Sequence, residues 1–154
     1  MSARGPFQDR ASLRVEALTL SRGGRVLFEG LSFAAASGAY VEVQGSNGSG
    51  KTSLLRAVAG LLPPRAGVIA IEGVDEPSIA LHYLGHANAL KREAKVREHL
   101  HYWAGLFGGA PSEDFASKML DLGRVLNLPV RVLSQGQARR LALARLIVAP
   151  RPIW

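Results

Sequence analysis

The sequence predicts an α/β fold. Three features carry that expectation. Apolar and polar residues alternate over Leu13–Leu20 and recur in a β-like run at Val26–Ala35. A short β-rich run, Tyr40–Gln44, passes through a glycine-rich loop straight into helical spacing at Thr52–Ala59. From Lys95 onward the apolar residues repeat with a helical period. Strands therefore dominate the first part and helices the second, as in an α/β core with a helical insertion.

The elements follow in chain order. Residues 1–10 read as a disordered lead-in. Leu13–Leu20 is the first strand, Ser21–Arg25 a turn, and Val26–Ala35 the second strand, with Leu27, Leu31 and Phe33 apolar. Ser37-Gly38 turns the chain into Tyr40–Gln44. The helix from Thr52 stops at Gly60, a residue suited to the position after a helix, and Pro63-Pro64 blocks its continuation. Val68–Ile71 and Ile79–Leu84 are further strand candidates. Val96, Leu100, Trp103 and Phe107 share one helical face, broken by Gly108-Gly109 and Pro111. Ser112 then reads as the N-cap of a helix through Leu122, with Glu113 and Asp114 in its first turn. A last helix starts near Ser134, runs to Ala149, and is followed by Ile153-Trp154, read as the start of a buried strand.

Composition bounds the function. With 154 residues, 47% of them apolar, the chain can bury one core. Its apolar stretches are too short or interrupted to cross a bilayer, and Met1–Arg10 lacks the apolar region of a secretory signal, which places the chain in the cytoplasm. The absence of cysteine excludes disulfides and thiolate metal sites. The net charge of +7 comes from 15 Arg and 4 Lys against 12 acidic residues. Such a balance reflects either genomic base composition or an anionic partner such as a nucleotide, a nucleic acid or a lipid surface.

Gly45-Ser46-Asn47-Gly48-Ser49-Gly50-Lys51-Thr52 matches the phosphate-loop pattern G-x-x-x-x-G-K-[ST] in full. A β-run precedes it and a helix follows, as that chemistry requires. Glycines let successive backbone N–H groups converge, and these donors together with the positive helix end suit the β- and γ-phosphates. Lys51 adds a mobile charge, and the Thr52 hydroxyl is suited to coordinate Mg²⁺. Ser53 completes the candidate nucleotide-binding set. The motif points to a nucleoside triphosphate but leaves the type of P-loop NTPase open.

Leu133-Ser134-Gln135-Gly136-Gln137 opens the last helix, followed by Arg139-Arg140-Leu141-Ala142-Leu143-Ala144-Arg145. A serine cap on an amphipathic helix accounts for Ser134. It does not account for Gly136 in the first turn, where glycine is costly and suggests close approach of a ligand to the backbone.

With these two motifs the chain resembles the ABC-type ATPases. LSQGQ is similar to their LSGGQ signature and begins 82 positions after Lys51, and the resemblance covers residues 12–154. It implies a P-loop NTPase core with an N-terminal antiparallel β-subdomain and a small helical insertion, incomplete at the C-terminus. The implied boundaries are 11–85 for the β-subdomain and P-loop core, 86–133 for the insertion, and 134–154 for the signature helix and the start of the next strand. It also implies that the signature of one subunit meets the ATP held by the other's phosphate loop, in a head-to-tail pair with closed two-fold symmetry. The runs Gly23–Phe28, Gly30–Phe33, Asn47–Arg56, Tyr83–His86, Leu90-Lys91 and Arg140–Trp154 resemble in particular the ATP-binding subunits of the haem exporters of cytochrome c maturation, the CcmA type. That resemblance implies an ATPase that energises export of haem or a related cargo. Its cofactors are ATP and Mg²⁺, its partners membrane-embedded permease subunits rather than nucleic acid, and its place the cytoplasmic face of a bacterial inner membrane. The alternative is an ABC ATPase of another transporter or of a translation or DNA-repair system.

The sequence departs from the family in three places. Arg22 stands where an aromatic residue usually stacks on adenine; it is either a stacking guanidinium or a solvated turn residue. His86 or Ala87 stands in place of the glutamine expected after Ile79–Leu84; His86 either offers a neutral nitrogen to a water or metal, or is a packing or surface residue. His82, His86, His99 and His101 show no convincing metal-ligand spacing. The aspartate–glutamate pair of the next strand and the later histidine are not in the sequence, so no catalytic residue is expected within residues 1–154. The expectation is a fragment or a frameshift or premature-stop product, with weak nucleotide binding, no meaningful turnover and poor stability alone.

Overall fold

The computed structural model describes residues 11–106 and 113–154, which divide into two compact units. The lead-in 1–10, Phe107, Gly108-Gly109, Pro111 and the Ser112 cap lie outside the described residues.

The first unit ends at Tyr83 and also takes in Ile153. Its sheet has the order β2-β1-β3, all antiparallel, from β1 (Ser12–Arg22), β2 (Arg25–Ala35) and β3 (Ala66–Glu72). Leu13, Val15, Leu18 and Leu20 of β1 are buried. The step from Val15 to Leu18 breaks the two-residue period, and a bulge absorbs it. Ala17 sits in the bulge at φ 47, its N–H donating to Ser32 Oγ at 2.9 Å. Without that extra residue, Leu18 and Leu20 would face water. On the opposite face Arg14 donates to Glu72 and Glu16, which hold its guanidinium charged; the cluster is exposed. The strand runs two residues past Leu20, so the turn narrows from Ser21–Arg25 to Gly23-Gly24.

Helix α1 (Lys51–Val58) packs Leu54 and Ala57 into the sheet's core, together with Leu27, Phe28, Val43, Ile69 and Ile71. It ends as expected. Gly60 takes φ 71, and the N–H groups of Gly60 and Leu61 close onto the carbonyls of Ala57 and Arg56 at 2.9 and 2.8 Å.

Two strand expectations fail. Tyr40–Gln44 is irregular, with Tyr40 88% exposed. Within Ile79–Leu84 a 3₁₀ turn, Pro77–Ile79, leads to one parallel bridge, Leu81 to Ile153. The bridge is closed by His82 N to Ile153 O and Ile153 N to Ala80 O, at 2.9 and 3.1 Å. A strand needs a paired backbone on at least one side, and among the described residues these segments have at most this single bridge. Ile153 is partly buried there, but Trp154 is 70% exposed, contrary to the expected buried pair.

The second unit packs α2 (Val96–Leu106) and α3 (Glu113–Met119) against α4 (Gln135–Val148). Val96, Leu100 and Trp103 meet Leu122, Leu141, Ala144 and Val148 in one core, so the predicted α2 face is the buried one. The first N–H groups of α2 are covered by backbone: Val96 and Arg97 donate to the carbonyls of Leu128 and Leu126 at 3.1 and 3.0 Å. Helix α3 stops at Met119 rather than Leu122. Asp121 adopts φ 50, Leu122 N closes on Ser117 O at 2.8 Å, and the Leu122 side chain drops into the core. That C-terminal motif needs no glycine when an aspartate takes the left-handed position.

Candidate functional site

The phosphate loop belongs to the first unit and is shaped by its own backbone. Ser49 N donates to Ser46 O at 3.2 Å, closing a turn with Gly48 at φ 83, the left-handed third position that favours glycine. Gly50 precedes α1 at φ 98, and a β-carbon built there would stand 2.8 Å from the ring of Phe28 and 3.3 Å from Leu27 Cβ. Strand β2 thus presses on the junction of loop and helix, and only glycine meets both constraints. No side chain caps α1 and its first turn holds no acid, so the leading N–H groups and the positive end of the helix are left for an anion.

Lys51 folds back over this loop. Its Nζ donates to the carbonyls of Gly45 and Ser46 at 2.6 and 2.8 Å. The ammonium is therefore held at the loop by neutral acceptors, which a more basic phosphate oxygen can displace. The side chains of Ser46, Asn47 and Thr52 are exposed; Ser53 is buried at 4% exposure, beneath the helix start. Thr52 offers a hard oxygen beside the loop. One such protein oxygen fits Mg²⁺, which keeps waters and phosphate oxygens as its other ligands.

The Leu133–Gln137 turn lies in the second unit. Ser134 is the N-cap of α4, with φ −63 and ψ 159. Its Oγ accepts from Gln137 N at 3.2 Å, and Gln137 Oε1 accepts from Ser134 N at 2.9 Å. In this capping box the serine oxygen is engaged as an acceptor and only its proton remains to donate. The spacing S-x-x-Q was the available signal for Gln137's partnership. Gly136 is exposed, and a β-carbon there would meet only Ser134 Oγ, at 4.0 Å. Among the described residues, neither packing nor backbone conformation asks for glycine at this position.

Arg22 is exposed and closes the β1–β2 hairpin opposite Arg25; no hydrogen bond or ion pair to the phosphate loop is found among the described residues. His86 is exposed, in the segment between Leu84 and Lys91. His99 is buried and tied into its own unit. His99 Nε2 accepts from Lys91 N and Nδ1 donates to Lys95 O, both at 3.0 Å, and its ring tilts against Trp103. Among the described residues no cluster of His, Asp or Glu could hold a metal.

One polar connection had no sequence signal. Arg139, one turn into α4, donates through Nη1 to Gly85 O at 2.9 Å and to Asn88 Oδ1 at 3.2 Å. Arg145 lies near enough that its guanidinium is pushed below its usual value, by burial first and by Arg139 second.

Residues 28–154 match the ABC transporter family. The cytochrome c biogenesis ATP-binding export protein CcmA of Rhodopseudomonas palustris is 48% identical over 138 residues, which span 86% of this chain and 68% of that protein. The protein of the same description from Bradyrhizobium diazoefficiens is 50% identical over 137 residues, with the same coverage. Among solved structures, a putative ABC transporter ATP-binding protein from Pyrococcus furiosus superposes with a TM-score of 0.79 at 26% identity, covering 91% of this chain and 72% of that one. Two phosphate-suited turns on an α/β scaffold and these likenesses agree: the chain belongs to the ABC transporter ATP-binding family, among the cytochrome c biogenesis export proteins of the CcmA type.

Proposed function

We propose that this chain holds ATP at Gly45–Ser53 and presents Leu133–Gln137 to the ATP held by a second ATPase subunit, energising export of haem or a haem-related cargo in cytochrome c biogenesis. The observation that carries the reading is Lys51. Its ammonium is tethered at 2.6 and 2.8 Å by carbonyls of the same loop whose helix has an uncapped, acid-free start. A cation there and an unused set of N–H donors together suit a polyphosphate.

The part proposed for each residue is supported by its geometry. The N–H groups of Gly48 and Gly50–Ser53 donate to phosphate oxygens, while that of Ser49 keeps the turn closed on Ser46 O, and Lys51 moves from the carbonyls onto the β- and γ-phosphates. Thr52 would hold Mg²⁺, which neutralises phosphate charge when bound. In the partner-facing turn, the Ser134 proton and the N–H groups of Gln135 and Gly136 remain for the opposite nucleotide, and the missing β-carbon at Gly136 lets it come close. Gln137 serves that contact indirectly, through the capping box that fixes Ser134. Leu133 is partly buried against the helical core and anchors the turn. Arg22 as a guanidinium stacked on adenine and His86 as a nitrogen offered to a water or metal are accessory parts of this reading.

A head-to-tail pair follows, working with membrane-embedded permease subunits at the cytoplasmic face of the inner membrane. No helix among the described residues is long and apolar enough to cross a bilayer, which fits a peripheral subunit. Titration with a fluorescent ATP analogue and Mg²⁺ tests the reading. Lys51→Ala is expected to weaken binding about tenfold or more, by loss of the charge-assisted contacts. Unchanged affinity in that variant would overturn it.

A further inference from the structure

The segment between Leu84 and Lys91 is strapped from two sides. Arg139 of α4 holds Gly85 O and Asn88 Oδ1 through one nitrogen, at 2.9 and 3.2 Å. His99 of α2 accepts from Lys91 N at 3.0 Å. Between the two straps Ala89 sits at φ 53, a conformation an alanine keeps only when its surroundings impose it. Arg139 lies five residues after Ser134 on the same helix. A displacement of the helix start therefore pulls on the segment that carries His86.

We infer that Arg139 is a positioning residue that makes the Gly85–Ala89 segment and the first turns of α4 one mechanical piece. Engagement of the Ser134 turn by a partner's nucleotide is then transmitted to His86. The second half of this inference rests on the proposed nucleotide contact at Ser134. The first half does not.

Hydrogen–deuterium exchange on the purified chain, with and without a slowly hydrolysed ATP analogue and Mg²⁺, separates the two. Without nucleotide, Arg139→Ala is expected to speed exchange of the 86–91 amides about tenfold while the amides of α2 and β1 keep their rates. Arg139→Lys, whose ammonium can donate to both acceptors, is expected to restore the slow rates. With nucleotide, the wild-type chain gains protection at both 134–137 and 86–91. Arg139→Ala gains it at 134–137 alone.

Equal exchange of 86–91 in wild type and Arg139→Ala, or no rescue by Arg139→Lys, overturns the strap. A nucleotide response at 86–91 that survives Arg139→Ala overturns the transmission. No response at 134–137 in the wild-type chain counts against the nucleotide contact at Ser134, and the nucleotide-free comparison still decides the strap.

Discussion

Replacing Gly50 by alanine separates two costs that the loop–helix junction imposes. The backbone there is at φ 98, so any L side chain carries about 1–2 kcal/mol of left-handed strain. The new β-carbon would also stand 2.8 and 2.9 Å from Phe28 Cε2 and Cζ and 3.3 Å from Leu27 Cβ. Phe28 must swing out of a core it shares with Leu54 and Ala57, which costs about 1–3 kcal/mol by analogy with overpacked interiors. Gly48→Ala is the control: φ is 83, but nothing lies within 4 Å of the added carbon, so only the backbone strain applies. The two variants should therefore differ by about 1–3 kcal/mol. In urea, with a slope of about 2 kcal/mol per molar, that is a midpoint difference of about 0.5–1.5 M. Far-UV circular dichroism during urea titration reads it directly. Equal midpoints for the two variants would show that β2 does not press on the loop as described.

Other substitutions probe the remaining contacts. Ser134→Ala removes the capping box and should lower stability by about 1 kcal/mol, whereas Ser134→Asp keeps a capping oxygen and should stay within about 0.5 kcal/mol of wild type; both are measured by urea melts. The same Ser134→Asp change sets a negative charge where a polyphosphate is proposed to arrive, so nucleotide-dependent pairing, followed by sedimentation, should be lost despite the retained fold. His99→Phe keeps the ring but loses its links to Lys91 N and Lys95 O, and should cost about 2 kcal/mol in the same melts. Leu141→Ala empties a fully buried position in the helical core and should cost about 2–5 kcal/mol.

Much of this was legible in the sequence because it rests on local rules. The alternation from Leu13 fixed a buried strand face, Gly60 marked a helix end, and Ser134 marked a helix start. The strands that failed depend on partners distant in the chain. Tyr40–Gln44 and Ile79–Leu84 have β-favouring residues, yet a strand exists only where another backbone pairs with it. Asp121 ended α3 early through a left-handed turn that the helical spacing of its neighbours concealed. The phosphate-loop pattern locates Lys51 but not its resting partners, and the serine cap is plainer in the sequence than its reciprocal bond with Gln137. Arg139's grip on Gly85 and Asn88 spans more than fifty residues of sequence and has no local pattern to reveal it.

The most direct test mixes two damaged chains. Lys51→Ala disables the phosphate loop and Ser134→Asp the opposing turn, so each variant alone should fail to pair on addition of ATP and Mg²⁺ in analytical ultracentrifugation. Mixed, they should form heterodimers, because one of the two shared sites then combines an intact Lys51 with an intact Ser134. Failure of the mixture to pair where the unmodified chain does, or pairing by either variant alone at the unmodified chain's level, would contradict a nucleotide gripped by both turns across two subunits.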